Sequence, residues 1–358
     1  MADRDGIETA RALLARSVRD RIFPAAVVEV GESAGSLWHE AFGHLTFDEG
    51  ARAAGEDTLF DLASLTKPIA TTSVVAQLAA GGALDIRERV AALITEWRGD
   101  DRQAVTVQDL LEHASGLAPR LVDRPQGGRR EFEHDICAMP LEYAPRTRAV
   151  YSDLGFILLG FIAADRGRRP LSSQFEEIVR QEIPGQEDQL SFGATEAARA
   201  RTAPTYPLDD DARRGRLLVG EVHDSYAAAL GGVAGHSGLF GTARGVGAFA
   251  RRALLGARGD RSVPAPLSPP LVARLTRKSS VPGSSRALGW DTMLPTSSCG
   301  TRLSPAAFGH VGFTGTSLWI DPVLDRYFVL LTNRACGGGT LDQMRDVRRA
   351  FHDALARP

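Results

Sequence analysis

The stretch Asp61-Leu-Ala-Ser64-Leu-Thr-Lys67-Pro68-Ile-Ala-Thr-Thr72 constrains this chain more than any other. It sets a hydroxyl and an amine three residues apart. On a helix, positions i and i+3 share one face, so the Lys67 amine can reach the Ser64 oxygen. Pro68 agrees with a helix opening here, because the first turn has N–H groups without intrahelical partners and tolerates the loss of one. A serine at that opening also sits in the positive end of the helix dipole, which favours a developing oxyanion. Lysine is otherwise nearly absent: of 42 basic residues, only Lys67 and Lys278 are not arginine. Arginine stays protonated, whereas a desolvated lysine can release and take up a proton. The plain reading has Lys67 capping or solvating a helix; the retained lysine favours a catalytic one.

The 358 residues exceed one simple core and suit two closely connected subdomains or one large domain. With 43% hydrophobic and 24% charged residues, the composition is that of an ordinary globular protein. A formal net charge of −2 gives no electrostatic case for nucleic acid or an anionic membrane as partner. Cys137, Cys299 and Cys336 are odd in number with no close pair, which argues against a disulfide framework and a zinc cluster. The N-terminus, Met1 to Glu8, is charged and lacks the apolar stretch of a signal peptide, and no apolar run approaches membrane-spanning length. The resulting expectation is a cytoplasmic protein.

Along the chain, apolar spacing predicts a first helix over Ile7–Ile22, a strand over Phe23–Val30, a turn at Gly31–Gly35 and a returning strand over Ser36–Phe42. The Ser64 helix is expected to run to Ala79. Helices follow at Ile86–Ile94, Val107–His113, Leu154–Asp165 and Ser172–Gln181, separated by loops at Pro119–Arg130 and Thr202–Gly215. A glycine-rich stretch, Gly231–Gly241, precedes a helix at Val246–Leu255 and a Pro/Ser-rich linker at Ser262–Pro270. Strands are expected at Arg286–Met293, Ala307–Gly312, Thr316–Ile320 and Tyr327–Asn333, with a closing helix at Leu341–Ala356. This order implies an α/β (α+β) fold in which both chain ends build one antiparallel sheet flanked by helices. Residues 1–75 and 240–358 would form the α/β part, and 76–239 a mostly helical insertion.

Two further stretches carry chemistry. Tyr151-Ser152-Asp153 precedes an apolar helix, where the phenol either faces a cleft beside a lysine or packs at a helix start. His310-Val311-Gly312-Phe313-Thr314-Gly315 adjoins a strand edge whose glycines would let a substrate backbone approach, with Phe313 offering an N–H. His310 would bind a carboxylate there or serve as a plain strand residue.

Together these residues resemble the serine β-lactamase and penicillin-binding-protein superfamily, nearest its class C-like branch. Its three motifs, S-x-x-K, Y-x-N and a K/H-T-G strand, stand here as Ser64-Leu-Thr-Lys67, Tyr151-Ser-Asp153 and His310-Val-Gly312, in order and at similar spacing. Leu111-Glu-His-Ala-Ser-Gly-Leu117 and Gly231–Phe240 are similar to that family as well, so the resemblance spans nearly the whole chain. It implies a β-lactamase/transpeptidase-like fold and hydrolysis of an amide, ester or peptide through an acyl-enzyme on Ser64. Lys67 and Tyr151 would share the general-base role, and the N–H groups of Ser64 and Phe313 would form the oxyanion hole. Asp153, His310, Gly312, Phe313 and Thr314 would contact substrate. No metal or organic cofactor is implied. Asp153 replaces an asparagine and Val311 a threonine, which disfavours β-lactamase or D,D-peptidase activity but leaves acyl transfer intact. The stretches Gly220–Asp224 and Gly231–His236 look similar to members linked to muropeptide amide cleavage.

Gly31-Glu-Ser33-Ala-Gly35 matches a G-x-S-x-G nucleophile elbow, but only one helix and one strand precede it, so it reads as a hairpin turn. The eight histidines form no H-E-x-x-H or H-x-H pattern for a metal hydrolase. Of these, His39, His44, His134 and His352 read as surface or partly packed, and His113 and His236 as structural hydrogen-bonding residues. A catalytically silent binding module is the non-enzymatic alternative, and a promiscuous carboxylesterase the enzymatic one.

Overall fold

Ala25-Ala-Val-Val-Glu-Val30 is an apolar run with no turn residue, the pattern of a strand covered on both faces. In a computed structural model of the protein, which describes residues 4–121 and 127–356, it becomes the inner strand β1 (Ala25–Glu32), paired antiparallel with β2 (Gly35–Gly43). The remaining strands are β3 (Phe60–Asp61), β4 (Leu190–Phe192), β5 (Leu239–Gly241), β6 (Asp291–Thr292), β7 (Phe308–Val311), β8 (Ser317–Asp321) and β9 (Arg326–Thr332). The main sheet has the order β2-β1-β9-β8-β7-β6, so both ends of the chain meet where Val28 pairs with Leu330. A small second sheet, β3-β5-β4, lies just before Ser64.

Both faces of the main sheet are buried. Ala26, Val28, Val30, Phe328 and Leu330 pack with Ala10 and Leu14 of helix Arg4–Arg19 and with Met344 and Phe351 of helix Leu341–Leu355. Val27, Val329 and Leu331 point the other way, to Val246, Phe249 and Ala250 of helix Ala243–Ala257 and a core continuous with helix Asp153–Gly167. Each such apolar side chain contributes about 1.5–3 kcal/mol by leaving water. Glycines permit close approach where the middle of the chain docks: a Cβ at Gly235 would strike the carbonyl of Phe156.

Several elements differ from the sequence reading. Helix Arg129–Ala138 falls partly in the expected loop 119–130, whose residues 122–126 lie outside the described residues. Helix Pro269–Leu275 begins with two prolines at the end of the expected linker. The expected strand 286–293 shortens to β6, since Gly289 turns the chain at φ +75°. The expected helix 86–94 reduces to Val90–Leu93. His352, expected near the surface, is fully buried, with Nε2 3.2 Å from Ser317 Oγ. Ser33 is in the β1–β2 turn with its hydroxyl donating to Asp325, as the hairpin reading requires. The three cysteines are buried and unpaired, and among the described residues no helix is long and apolar enough to cross a membrane.

Candidate active site

Ser64 does not open a regular α-helix. Ala63–Leu65 form a 3-10 turn, Lys67–Thr71 a π-helical turn and Thr72–Ala80 the α-helix that follows. Ala63, just before the serine, sits at φ +48°, a conformation that costs a non-glycine residue about 1–3 kcal/mol and persists only when its surroundings enforce it. Here the enforcement is visible. Asp61 Oδ1 accepts the Ala63 N–H at 2.8 Å, and Oδ2 accepts the His223 N–H at 2.6 Å. Burial pushes the Asp61 carboxyl up to about 6.

The turn after β7 is fastened to the same segment. Thr314 Oγ1 donates to the Asp61 carbonyl at 2.8 Å, and Thr316 Oγ1 to the Leu62 carbonyl at 3.0 Å. Gly312 is required between them, because a Cβ would run into Thr316 Oγ1 and the Leu62 carbonyl. These ties set Phe313 on the wall of a cavity of about 160 Å3, with Ser64, Tyr151, Asp153, Arg120 and Leu208.

Lys67 has no solvent exposure. Its Nζ donates to Ser64 Oγ at 3.0 Å, to Asp153 Oδ1 at 2.8 Å and to the His236 carbonyl at 3.2 Å. The other oxygen of Asp153 accepts from Arg120 Nη1 at 3.0 Å, and the same nitrogen donates to Asp224 Oδ2 at 3.1 Å. Asp224 Oδ1 is 2.7 Å from His236 Nε2, which closes a ring: Lys67, Asp153, Arg120, Asp224, His236 and back to Lys67. Burial opposes the charges of Lys67, Asp153, Arg120 and Asp224, and the opposite charge beside each outweighs burial. Desolvation works to lower the Lys67 pKa, but Asp153 and then Tyr151 hold the amine above its ordinary value. Desolvation likewise works to raise Asp153 and Asp224. Lys67 first holds Asp153 below the usual carboxylate range, and His236 and Arg120 do so for Asp224. The ring therefore keeps Lys67 as an ammonium against the serine hydroxyl.

Tyr151 packs against the ammonium, its ring centroid 4.8 Å from Lys67 Nζ, and against the rings of His113 at 4.6 Å and His310 at 5.9 Å. His113 Nδ1 accepts the Ser152 N–H at 3.0 Å, which fixes the turn carrying Tyr151. Ser152 caps the helix that begins at Asp153 and donates to the Ala118 carbonyl at 2.6 Å. Burial drives both His113 and His310 well below their usual pKa, so both rings are neutral.

Of the residues singled out in the sequence, Ser64, Tyr151, Asp153 and Phe313 line the cavity, and Lys67 stands directly behind Ser64. His310 is buried beside Tyr151 with Nδ1 2.9 Å from the Val311 carbonyl, and Gly312 and Thr314 support the turn beneath. Both oxygens of Asp153 are engaged by Lys67 and Arg120. Arg120, Asp224 and the ring of His236 were missed as site residues. A cap signal was present at Asp224, whose Oδ1 accepts the Ala227 N–H at 2.8 Å, but nothing local marks Arg120. Among the described residues, no cluster of three or more His, Cys, Asp or Glu is placed to hold a metal ion.

The β-lactamase family matches residues 10–352. A putative D-alanyl-D-alanine carboxypeptidase of Escherichia coli (strain K12) is 30% identical over 309 residues, covering 77% of this chain and 69% of that protein. An N-acetylmuramyl-L-alanine amidase of Bacillus subtilis (strain 168) is 30% identical over 346 residues, covering 87% and 77%. Among solved structures, EstCE1, a hydrolase with promiscuous acyltransferase activity, superposes with a TM-score of 0.77 at 18% identity, covering 99% of this chain and 100% of that one. A class C β-lactamase from Rhodobacter sphaeroides gives 0.74 at 18% identity, covering 97% and 98%. The structural likenesses establish a shared fold, and the sequence matches establish kinship: this chain is a serine hydrolase of the β-lactamase family.

Proposed function

We propose that Ser64 is the nucleophile of an amide hydrolase, with Tyr151 as its proton acceptor and Lys67 as a fixed ammonium between them, acting on an alanine amide bond of a muropeptide. The observation that carries this reading is the Lys67 ammonium, held by the closed ring and donating to Ser64 Oγ at 3.0 Å. The acceptor is the Tyr151 phenolate, its charge balanced by the neighbouring ammonium, and it becomes a neutral phenol as it takes the serine proton. Ser64 Oγ then bonds to the acyl carbon, and the N–H groups of Ser64 and Phe313 receive the carbonyl oxygen's charge. The C–N bond breaks as Tyr151 returns the proton to the leaving amine. Water then loses a proton to the Tyr151 phenolate and bonds to the acyl carbon; the Ser64 Oγ–acyl bond breaks, and Tyr151 returns that proton to Ser64 Oγ. The cavity would lie between the α/β part, residues 1–75 and 240–358, and the mostly helical part, 76–239.

The substrate class is supported by two relatives whose names are a carboxypeptidase at D-alanyl-D-alanine and an amidase at N-acetylmuramyl-L-alanine. The neutral, buried His310 and the apolar Val311 offer no cation or hydroxyl for a β-lactam carboxylate, which counts against β-lactam hydrolysis. Leu208 and Phe313, 47% and 40% exposed at the cavity, favour a second reading in which apolar esters are also turned over.

The test is intact mass after treatment with a serine-reactive fluorophosphonate, on wild type, Ser64→Ala and Ser33→Ala, followed by assays on N-acetylmuramyl-L-alanine, short esters and β-lactams. The expected result is one adduct lost only in Ser64→Ala, with release of alanine by wild type. An adduct lost in Ser33→Ala, or none on the folded protein, would reject the nucleophile. An adduct with ester turnover alone would reject the amide substrate.

A further inference from the structure

Sharing no lining residue with the Ser64 cavity, a cleft of about 560 Å3 is lined by Arg87, Arg274, Arg277, Lys278, Glu112 and Ser280, among others. The four cations come from two separate segments, the turn at 85–89 and the end of helix Pro269–Leu275 with the residues beyond it. All four are exposed. Arg87 pairs at 3.6 Å with the exposed Asp85, whose carboxylate also feels Arg274, and among the described residues Arg274, Arg277 and Lys278 have no ion-pair partner within 4 Å. Arginines elsewhere on this surface are commonly paired, as in Arg129–Asp165, Arg169–Glu177 and Arg216–Glu221. The helix C-terminal dipole accounts for Arg274 but not for Arg87, which is brought in from another part of the chain.

The one carboxylate of the cleft is already engaged. Glu112 accepts from Gln108 Nε2 at 2.9 Å and from Ser279 Oγ at 2.6 Å. Four like charges facing one concavity repel each other and focus a positive potential there, and an anion entering relieves that repulsion. Hydroxyl and amide donors at Ser280 and Gln108 complete a lining suited to oxyanion groups.

We propose that this cleft is a second binding site, for a small ligand carrying at least two negative charges as phosphate or carboxylate groups. It stands independently of the roles assigned to Ser64 and Tyr151. It is nevertheless connected to them: Ser279 N–H donates to the Arg286 carbonyl at 2.7 Å, and the Arg286 guanidinium lies 5.0 Å from the Tyr151 ring centroid. The loop 276–286 thus forms a wall of the cleft and also reaches the Tyr151 ring.

The test is calorimetric titration of the full chain with pyrophosphate and with citrate, at low and high salt. The variants are Arg277→Ala/Lys278→Ala and, as a charge-matched control, Arg98→Ala/Arg261→Ala, exposed residues outside the cleft lining. Wild type binds, affinity falls about tenfold or more in the first double variant and with added salt, and the control behaves as wild type. No binding to wild type, or equal binding by both double variants, overturns the site. Steady-state kinetics on an ester with a remote carboxylate then separate the sources. A rise in KM with unchanged kcat in Arg277→Ala/Lys278→Ala identifies the occupant as the acid end of the substrate. Unchanged KM with pyrophosphate still bound by wild type identifies a free phosphate ligand. Either result requires the site.

Discussion

The two lysines of this chain occupy regions built on opposite electrostatic plans. Around Lys67 every charge is engaged, and cation and carboxylate alternate along Lys67–Asp153–Arg120–Asp224, with Lys67 fully buried and Arg120 at the exposed rim. Around Lys278 four exposed cations, almost without carboxylate partners, face one concavity with a single buried carboxylate, Glu112. A unit-charge pair 4 Å apart is worth about 1 kcal/mol in water and about 4 kcal/mol near a protein surface. The first region can therefore dictate a protonation state, while the second can only attract. Exchanging lysine for arginine keeps the charge at both places, so that exchange separates proton chemistry from simple charge.

The largest effect is expected at Lys67→Arg. The guanidinium must fit a slot with no solvent exposure and replace three hydrogen bonds made by one nitrogen. We expect kcat/KM on the best ester or amide substrate to fall by about 10^3-fold or more. Denaturant unfolding of the same variant checks that the loss is not one of folding. Activity within tenfold of wild type would mean that only positive charge is needed behind Ser64.

Acid should weaken the first region and leave the second charged. His223 is pushed down to about 4 and His352 to about 3, both by burial, and His113 and His310 also lie well below the usual value. Below about pH 6.5 the unfolded chain binds protons that these four buried rings refuse, so stability falls as pH falls. Asp61, raised to about 6 by burial, binds one proton earlier in the folded state and offsets one of the four. Glu29 and Glu182, also raised by burial, add to that offset. Each ring held neutral costs about 1.4 kcal/mol of stability per pH unit below its unfolded value, so the urea midpoint should fall as pH is lowered from about 6.5 toward 4. Urea midpoints measured across this range check it; a flat profile would mean that the rings reach water in the native state.

How much of this could be seen in the sequence follows from the range of each interaction. Ser64 and Lys67 were placed in contact by three-residue spacing alone, and they do meet, although through 3-10 and π turns enforced by Asp61 rather than a regular helix. The main sheet was legible because β1, β8 and β9 are apolar-rich runs, interrupted inside β1 only by Glu29 and Gly31, and bounded by turn residues. The ring was not legible, since Arg120 and Asp224 lie 104 positions apart and their meeting depends on the docking of Gly235 against Phe156. Helix Arg129–Ala138 escaped notice because its buried face consists of only Phe132, Ile136 and Cys137, with no side-chain cap.

Asp153→Asn should act more gently than Lys67→Arg. It removes the charge that outweighs burial at Lys67, while Arg120 keeps Asp224. The amine then gives up its proton at lower pH, and the alkaline limb of the kcat/KM profile moves down in pH, with about a tenfold loss at neutral pH. An unmoved limb would show that the ring does not set the charge on Lys67.

The smallest effect is expected at Lys278→Arg. An exposed cation in a cleft acts through its charge, which arginine preserves, so stability should change by less than about 0.5 kcal/mol. Pyrophosphate affinity should stay within about twofold. A guanidinium is a planar fork and an ammonium a compact point donor, so a larger gain or loss would show directional contact between residue 278 and the anion. Comparing Lys278→Arg with Lys278→Ala decides it. If only the alanine variant weakens binding, the cleft works by potential alone. If both weaken it equally, the second lysine was retained for its shape, and the difference between the two regions is one of exposure rather than of chemistry.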